Sequence, residues 1–301
     1  LDRVELPQDE RLHTDHQHEW WYFAAWLRQP STGRSFHYTS ALMRNDVVWV
    51  SYQRWWPVGG TPTLRKAVHA PPRRSEQELW LTPGRDWRVL VSPGGRSTHL
   101  LGPQVLHFAG RPGGVGPCLH TPAADGGILT YGGANTMAWY SWPDLEVRGQ
   151  LQAGDVAANA LVGHGWMEHQ WGGTDFRRLT WRYCPILLQT PVPRRLVAWR
   201  YVHRDHPTEP SVRIAELRGG ELHPIAAGTI DPGGPGTGPT VVTLGGGDQL
   251  VVTMVDGGAV DLRLPGVPTF HESPSTVTGR LGGVDVTGVA MTEFNPSGSH
   301  A

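Results

Sequence analysis

Two short stretches of the chain concentrate the groups that could do chemistry. Glu19-Trp20-Trp21-Tyr22-Phe23 sets one carboxylate against four consecutive aromatic rings. Gly165-Trp166-Met167-Glu168-His169-Gln170-Trp171-Gly172 sets a second carboxylate and an imidazole between two indoles. In an apolar surrounding, desolvation disfavours the charged form of a carboxyl group, so Glu168 is a candidate proton donor near neutral pH. His164 and His169 are placed to relay or orient that proton. The phenols of Tyr22, Tyr38 and Tyr140 could hydrogen-bond a substrate oxygen. The competing reading of Glu168 is a buried ion pair with Arg44, Arg182 or Arg200, and composition leaves both open.

Other chemistries find less support. His13, His16 and His18 crowd one segment, and on a strand residues 16 and 18 share a face. Glu19 falls on the opposite face, so a metal would need His37, His164 or His169 from elsewhere in the chain. There is no HExxH and no CxxC, and no metal or other cofactor is expected. There is no GxSxG elbow, and neither cysteine has a neighbouring histidine that would mark a nucleophile. The runs Gly245-Gly246-Gly247 and Gly257-Gly258 lack the Lys-Ser/Thr of a phosphate loop and read as turns.

The elements that must position these groups read as strands. Glu19 to Leu27 is apolar on both faces, as a central strand covered on both sides would be. Ser35 to Met43 and Val47 to Tyr52 continue a meander. Short strand-like pieces follow at 78–81, 87–91, 98–101, 105–109, 137–141 and 146–152. The Gly- and Pro-rich segment 111–135 reads as a long loop. A second set covers 179–183, 195–203, 212–217, 221–225, 241–244, 249–255 and 260–264, with a loop over 230–240. His37 and Tyr38 must face opposite ways on their strand.

The two halves close alike. Val147-Arg148-Gly149-Gln150-Leu151 is followed by Met167-Glu168, and Val277-Thr278-Gly279-Arg280-Leu281 is followed by Met291-Thr292-Glu293. This predicts an all-β protein of two similar barrels or sandwiches, residues 1–175 and 176–301. The 14 Trp, 39 Gly and 26 Pro in 301 residues fit short, turn-punctuated strands around aromatic walls.

A net charge of −1 with mixed signs leaves no basic face for nucleic acid. No apolar run reaches the length of a membrane span. The expected partner is an apolar small molecule. A cytoplasmic location is expected, although a removed leader would fit equally well. Cys118 and Cys184 could pair, without indicating a compartment.

The motifs also carry a family resemblance. H-x-x-x-Q-x-E-W-W-Y-F spans His13 to Phe23, G-x-G/A-W-x-D/E-x-Q/E-W-G spans Gly163 to Gly172, and G-x-A-x-x-E-F spans Gly288 to Phe294. Together they resemble the AttH-like and carotenoid 1,2-hydratase-like lipocalin family, which includes the Diels–Alderases of decalin biosynthesis. The resemblance implies two tandem lipocalin-like β-barrels with a ligand cavity in or between them, and cofactor-free chemistry on apolar polyenes. It assigns alkene protonation to the acid of the middle motif. Glu168 stands there where Asp is commoner, moving the acid's tip by about one C–C bond.

With no metal or nucleophile signal and a density of rings suited to folding a ligand, the first expectation is a cofactor-free cyclase acting on a polyene or polyketide. Glu168, His169 and His164 would be catalytic. Glu19, Trp20, Trp21, Tyr22, Tyr38, Tyr140, Trp166, Trp171, Trp199 and Tyr201 would line the substrate. The alternatives are a hydratase, in which Glu168 protonates an isoprenoid double bond, and a lipocalin that only binds an apolar ligand.

Overall fold

The computed structural model describes residues 3–295, apart from 72, 75–77, 122–124, 132–135, 153, 206–210, 219–220, 226–227, 234–237, 256–259 and 265–266. Strands dominate it, as the alternation predicts. By internal contacts the chain divides into one unit of Leu1–Thr174 with Gly219–Glu221, and a second of Asp175–Arg218 with Leu222–Ala301.

In the first unit β1 (His18–Arg28), β2 (Ser35–Asn45), β3 (Val48–Pro57) and β4 (Thr63–His69) form the expected meander. Next come β5 (Arg73–Arg74), β6 (Leu79–Gly84), β7 (Trp87–Ser92), β8 (Arg96–Leu101) and β9 (Gln104–Gly110). β10 (Cys118–Leu119), β11 (Ile128–Thr130), β12 (Thr136–Gln150) and β13 (Ala160–Gly173) complete it. The sheet order is β4-β3-β2-β1-β13-β12-β9-β8-β7-β6-β5, with β10 and β11 added on β12. β4 also meets β6, so the sheet curls into a nearly closed barrel.

Two sequence expectations change here. Segments 137–141 and 146–152 are one strand, β12, whose pairing with β13 slips by a bulge between Trp142 and Leu145. Segment 111–135 is not all loop, because β10 and β11 pair with β12.

Strand alternation sorts the barrel's side chains. Trp21, Phe23, Tyr38, Phe108, Tyr140 and Trp171 turn inward into one continuous core. Their rings meet edge-on or tilted, as Phe23 does with Phe108 (centroids 5.7 Å apart) and Tyr140 with Trp171 (6.2 Å). The chain before β1 lies across one end of the barrel: Val4 joins the core, and Glu10 accepts hydrogen bonds from the Trp142 indole (2.9 Å) and the Gly94 amide (2.7 Å). A depression of about 470 Å³ beside it is lined by Leu6, Pro7, Arg96 and Trp142, among others.

The second unit comprises β14 (Leu179–Gln189), β15 (Arg194–His203), β16 (Ser211–Arg218), β17 (Glu221–Pro224) and β18 (Thr229–Asp231). β19 (Thr240–Thr243), β20 (Gln249–Met254), β21 (Val260–Leu264), β22 (Val267–Leu281) and β23 (Val284–Asn295) follow. Their order is β17-β16-β15-β14-β23-β22-β20-β19-β18, with β21 on β22. β15 and β16 also meet β18, so this sheet curls into a half-barrel around Ile186, Leu196, Val242, Leu250, Val277 and Ala290.

The internal repeat has a structural basis. Gly149 faces Leu106 across β9, and Gly279 faces Leu250 across β20. A Cβ on Gly149 would overlap the Val105 carbonyl oxygen, and one on Gly279 the Gln249 carbonyl oxygen. Gly163 and Gly288 match in the same way, against Trp26 and Leu187. Counting five residues on, Glu168 faces Tyr22 in the first unit, as Glu293 faces Tyr183 in the second. Cys118 and Cys184 are both buried and are not joined by a disulfide. The tail at 298–301 lies outside the described residues. Among the described residues no helix is long and apolar enough to cross a membrane.

Candidate active site

The two aromatic motifs meet. β1 and β13 are neighbours, with Glu19 opposite Trp171, Trp21 opposite His169 and Tyr22 opposite Glu168. Because side chains alternate along a strand, this one register builds two separate clusters, one on each face of the sheet.

The inward cluster centres on Glu19, which is fully buried. Its Oε1 accepts from the His13 amide (2.9 Å) and lies 3.0 Å from both His13 Nδ1 and His169 Nε2. Arg44 Nη2 is 3.7 Å from Oε2, and the guanidinium also donates to the carbonyls of His13, Thr14 and His16. Burial alone would raise the Glu19 pKa, but the hydrogen bonds from His13 and His169 outweigh it and hold the carboxyl below its ordinary value. Burial drives His169 down to about 4, so its ring is neutral at neutral pH. Tyr140 stands 3.3 Å from His169 Nδ1.

The outward cluster centres on Glu168, only 3% exposed. The Trp166 indole donates to its Oε1 at 2.6 Å. Across the sheet Glu168 faces Tyr22 on β1 and Ser141 on β12. Ser141 Oγ is 2.5 Å from His120 Nε2, and the His120 ring lies flat on Trp139, centroids 4.0 Å apart. His120 and Ser141 are 2% and 0% exposed. A carboxyl, a hydroxyl and an imidazole therefore sit side by side on one buried aromatic face, with Tyr22 and Trp20 on the neighbouring strand.

The residues expected to act together are thus divided. His169 follows Glu168 in the chain, so it points through the sheet to Glu19 and cannot relay a proton for Glu168. His164 shares the face of Glu168 but lies a further four residues along β13; it is exposed and accepts from Arg111 at 2.7 Å. Glu19, Trp21, Tyr38, Tyr140 and Trp171 face the barrel interior, whereas Trp20, Tyr22 and Trp166 face outward with Glu168. Trp199 and Tyr201 belong to the second unit, on the face of β15 away from its core, with ring centroids 4.7 Å apart.

Two of the three arginines that could pair with Glu168, namely Arg44 and Arg182 but not Arg200, have other contacts of their own. Arg44 is committed to Glu19, and Arg182 lies over the Phe294 ring (4.4 Å) and donates to the Pro232 carbonyl. His37 and Tyr38 do diverge: His37 stacks near Trp56, while Tyr38 turns inward to His99.

Three participants escape the sequence motifs. His120 sits in the segment read as loop, and Ser141 is an unremarkable residue in a strand. His99 lies inside the barrel between Tyr38 (2.8 Å) and Ser97 (2.9 Å). The only sequence signal for any of them is the alternation that puts Ser141 on the face of Trp139.

No known family model and no curated protein matches the chain. Solved structures do. A protein assigned as AttH from Nitrosomonas europaea superposes with a TM-score of 0.73 at 18% identity, covering 98% of this chain and 97% of that one. Kievitone hydratase from Nectria haematococca superposes with a TM-score of 0.67 at 12% identity, covering 97% and 93%. CghA gives a TM-score of 0.49 at 15% identity over 97% and 91%. At such identities the first two likenesses speak for the fold alone. The chain shares over nearly its whole length the tandem barrel-like fold of the AttH protein and kievitone hydratase, in keeping with the family its motifs resemble.

Proposed function

We propose that this protein is a cofactor-independent enzyme that adds water across a double bond of an apolar, isoprenoid-like substrate at the outward face of β1, β13 and β12. The observation that carries the reading is the row Tyr22, Glu168, Ser141, with His120 bonded to Ser141 at 2.5 Å. Addition of water needs a proton delivered to carbon and another removed from oxygen, so an acid and a base must lie close together. Glu168 delivers the first proton to the alkene carbon, leaving a carbocation that the neighbouring indole faces stabilise. Water supplies the oxygen. Its surplus proton passes through Ser141 Oγ to His120 Nε2, in the tautomer with the ring proton on Nδ1, and returns to Glu168 to close the cycle. The net change is alkene plus water to alcohol. The likeness to a hydratase supports this at the level of the fold.

Sequence motifs alone put cyclisation first, and the Ser141–His120 pair, invisible to them, reverses that order. Cyclisation stays as the second reading because Trp20, Tyr22, Trp139 and Trp166 on the same face could fold a polyene into a reactive conformer. The test is a panel of linear isoprenoid and polyketide polyenes incubated with wild type, Glu168→Gln and His120→Phe. The hydratase reading requires that both variants lose turnover. A Glu168→Gln enzyme that keeps most of its rate would contradict it.

A further inference from the structure

We propose that His13, Glu19 and His169 form a binding site for one divalent first-row transition-metal ion inside the first barrel, apart from the proposed catalytic face. One ligand atom from each lies within 4.8 Å of the other two, and all three residues are buried. They come from three places in the chain: the segment before β1, β1 itself and β13. Two imidazole nitrogens and a carboxylate oxygen are the donor set of zinc and iron sites; magnesium and calcium prefer all-oxygen cages.

The surroundings of the two rings strengthen the case. A metal-bound imidazole usually hands its far nitrogen to a fixed acceptor, which sets the tautomer and aims the ligating nitrogen. His13 Nδ1 points at Glu19 Oε1, and its Nε2 lies 3.3 Å from Asp9 Oδ1. His169 Nε2 points at the same oxygen, and its Nδ1 lies 3.3 Å from the Tyr140 hydroxyl. Each ring is also clamped by an indole: His13 stacks on Trp171 at 4.0 Å and His169 on Trp21 at 4.3 Å. Both ligating nitrogens are thereby aimed before any ion arrives.

Arg44 approaches the Glu19 carboxylate from Oε2, leaving Oε1 toward the imidazoles. Without an ion, ring N–H groups fill this space as hydrogen-bond donors to Oε1. A metal would displace them and open the 3.0 Å spacings by a few tenths of an ångström, to suit bonds of about 2.0–2.1 Å. The ion would pin the segment before β1 to the barrel.

The full-length chain, stripped with chelator, is titrated with Zn²⁺ by calorimetry and with Co²⁺ by visible absorption. Expected are one ion per chain and d–d bands of a nitrogen- and oxygen-ligated cobalt without a thiolate charge-transfer band. His13 lies in the segment before β1, outside the barrel's strands, so His13→Ala leaves every strand residue in place, and near-UV dichroism checks that the barrel is intact; it should weaken affinity at least tenfold. No binding by the wild type overturns the proposal. A thiolate band, or unchanged affinity in a folded His13→Ala protein, overturns it equally, since the ion would then sit on other residues.

Discussion

Acid should unfold the first barrel through imidazoles it holds neutral, and His99 shows how strongly. This ring is 1% exposed and hydrogen-bonded on both nitrogens. Gln53 donates to the Tyr38 oxygen at 2.7 Å. Tyr38 in turn donates to His99 Nδ1, which leaves the ring proton on Nε2 for Ser97, so the neutral tautomer satisfies the whole chain. Burial lowers the pKa of His99 from 6.5 to about 3. Because the folded value lies below the unfolded one, the stabilisation is present above about pH 6.5 and is lost as pH falls toward the folded value. Between pH 7.5 and pH 5 the unfolded chain takes up nearly a full proton at this position while the folded chain takes up almost none. The loss is about 2 kcal/mol. His37, lowered by burial and by Arg54 to about 4, adds a similar amount. The assay is urea unfolding followed by tryptophan fluorescence at both pH values, for wild type and His99→Gln. The variant is less stable at each pH, but its difference between the two pH values should be smaller than wild type's by about 2 kcal/mol. An unchanged difference would refute the reasoning, because His99 would then titrate alike in both states.

Other expectations follow from single contacts. Gly149→Ala and Gly279→Ala, which drive a methyl into a neighbouring strand's carbonyl oxygen, should each cost more than about 2 kcal/mol in chemical denaturation, whereas Gly173→Ala, with open space around it, should stay within about 0.5 kcal/mol. Glu168→Gln should lower kcat by roughly 10²- to 10⁴-fold with little change in KM. Trp166→Phe, which removes the 2.6 Å donor to Glu168, should shift the pH profile of kcat rather than abolish turnover. Glu10→Ala frees Trp142 and the Gly94 amide at the barrel's end; faster amide exchange in the segment before β1 would register it, with the core strands unchanged.

Much of the architecture was legible because strand alternation is a local signal. β1, β2 and β7 fall close to where the pattern of apolar residues puts them, and the Gly149 and Gly279 echoes mark real strand crossings. What the motifs could not carry was the face. Glu168 and His169 are adjacent letters, and the pleat that separates them to opposite sides of the sheet divides one supposed dyad between two clusters. His164 failed for a related reason: sharing a face is not sharing a place, and four residues along a strand is roughly 13 Å. His120 and Ser141 depend on a pairing between β10 and β12 that crosses a Gly- and Pro-rich segment, where local sequence says little about long-range partners. His99 is a lone histidine in a short strand, and only the closed barrel reveals that Tyr38 and Ser97 await it.

The hydratase account is tested most directly by the isotope content of the product formed in H₂¹⁸O. Wild-type enzyme and an accepted linear isoprenoid should yield an alcohol carrying one ¹⁸O, and Glu168→Gln should yield almost none. An isomeric product of unchanged mass, formed at comparable rates by both proteins, would contradict proton delivery from Glu168 and leave ring closure as the reaction.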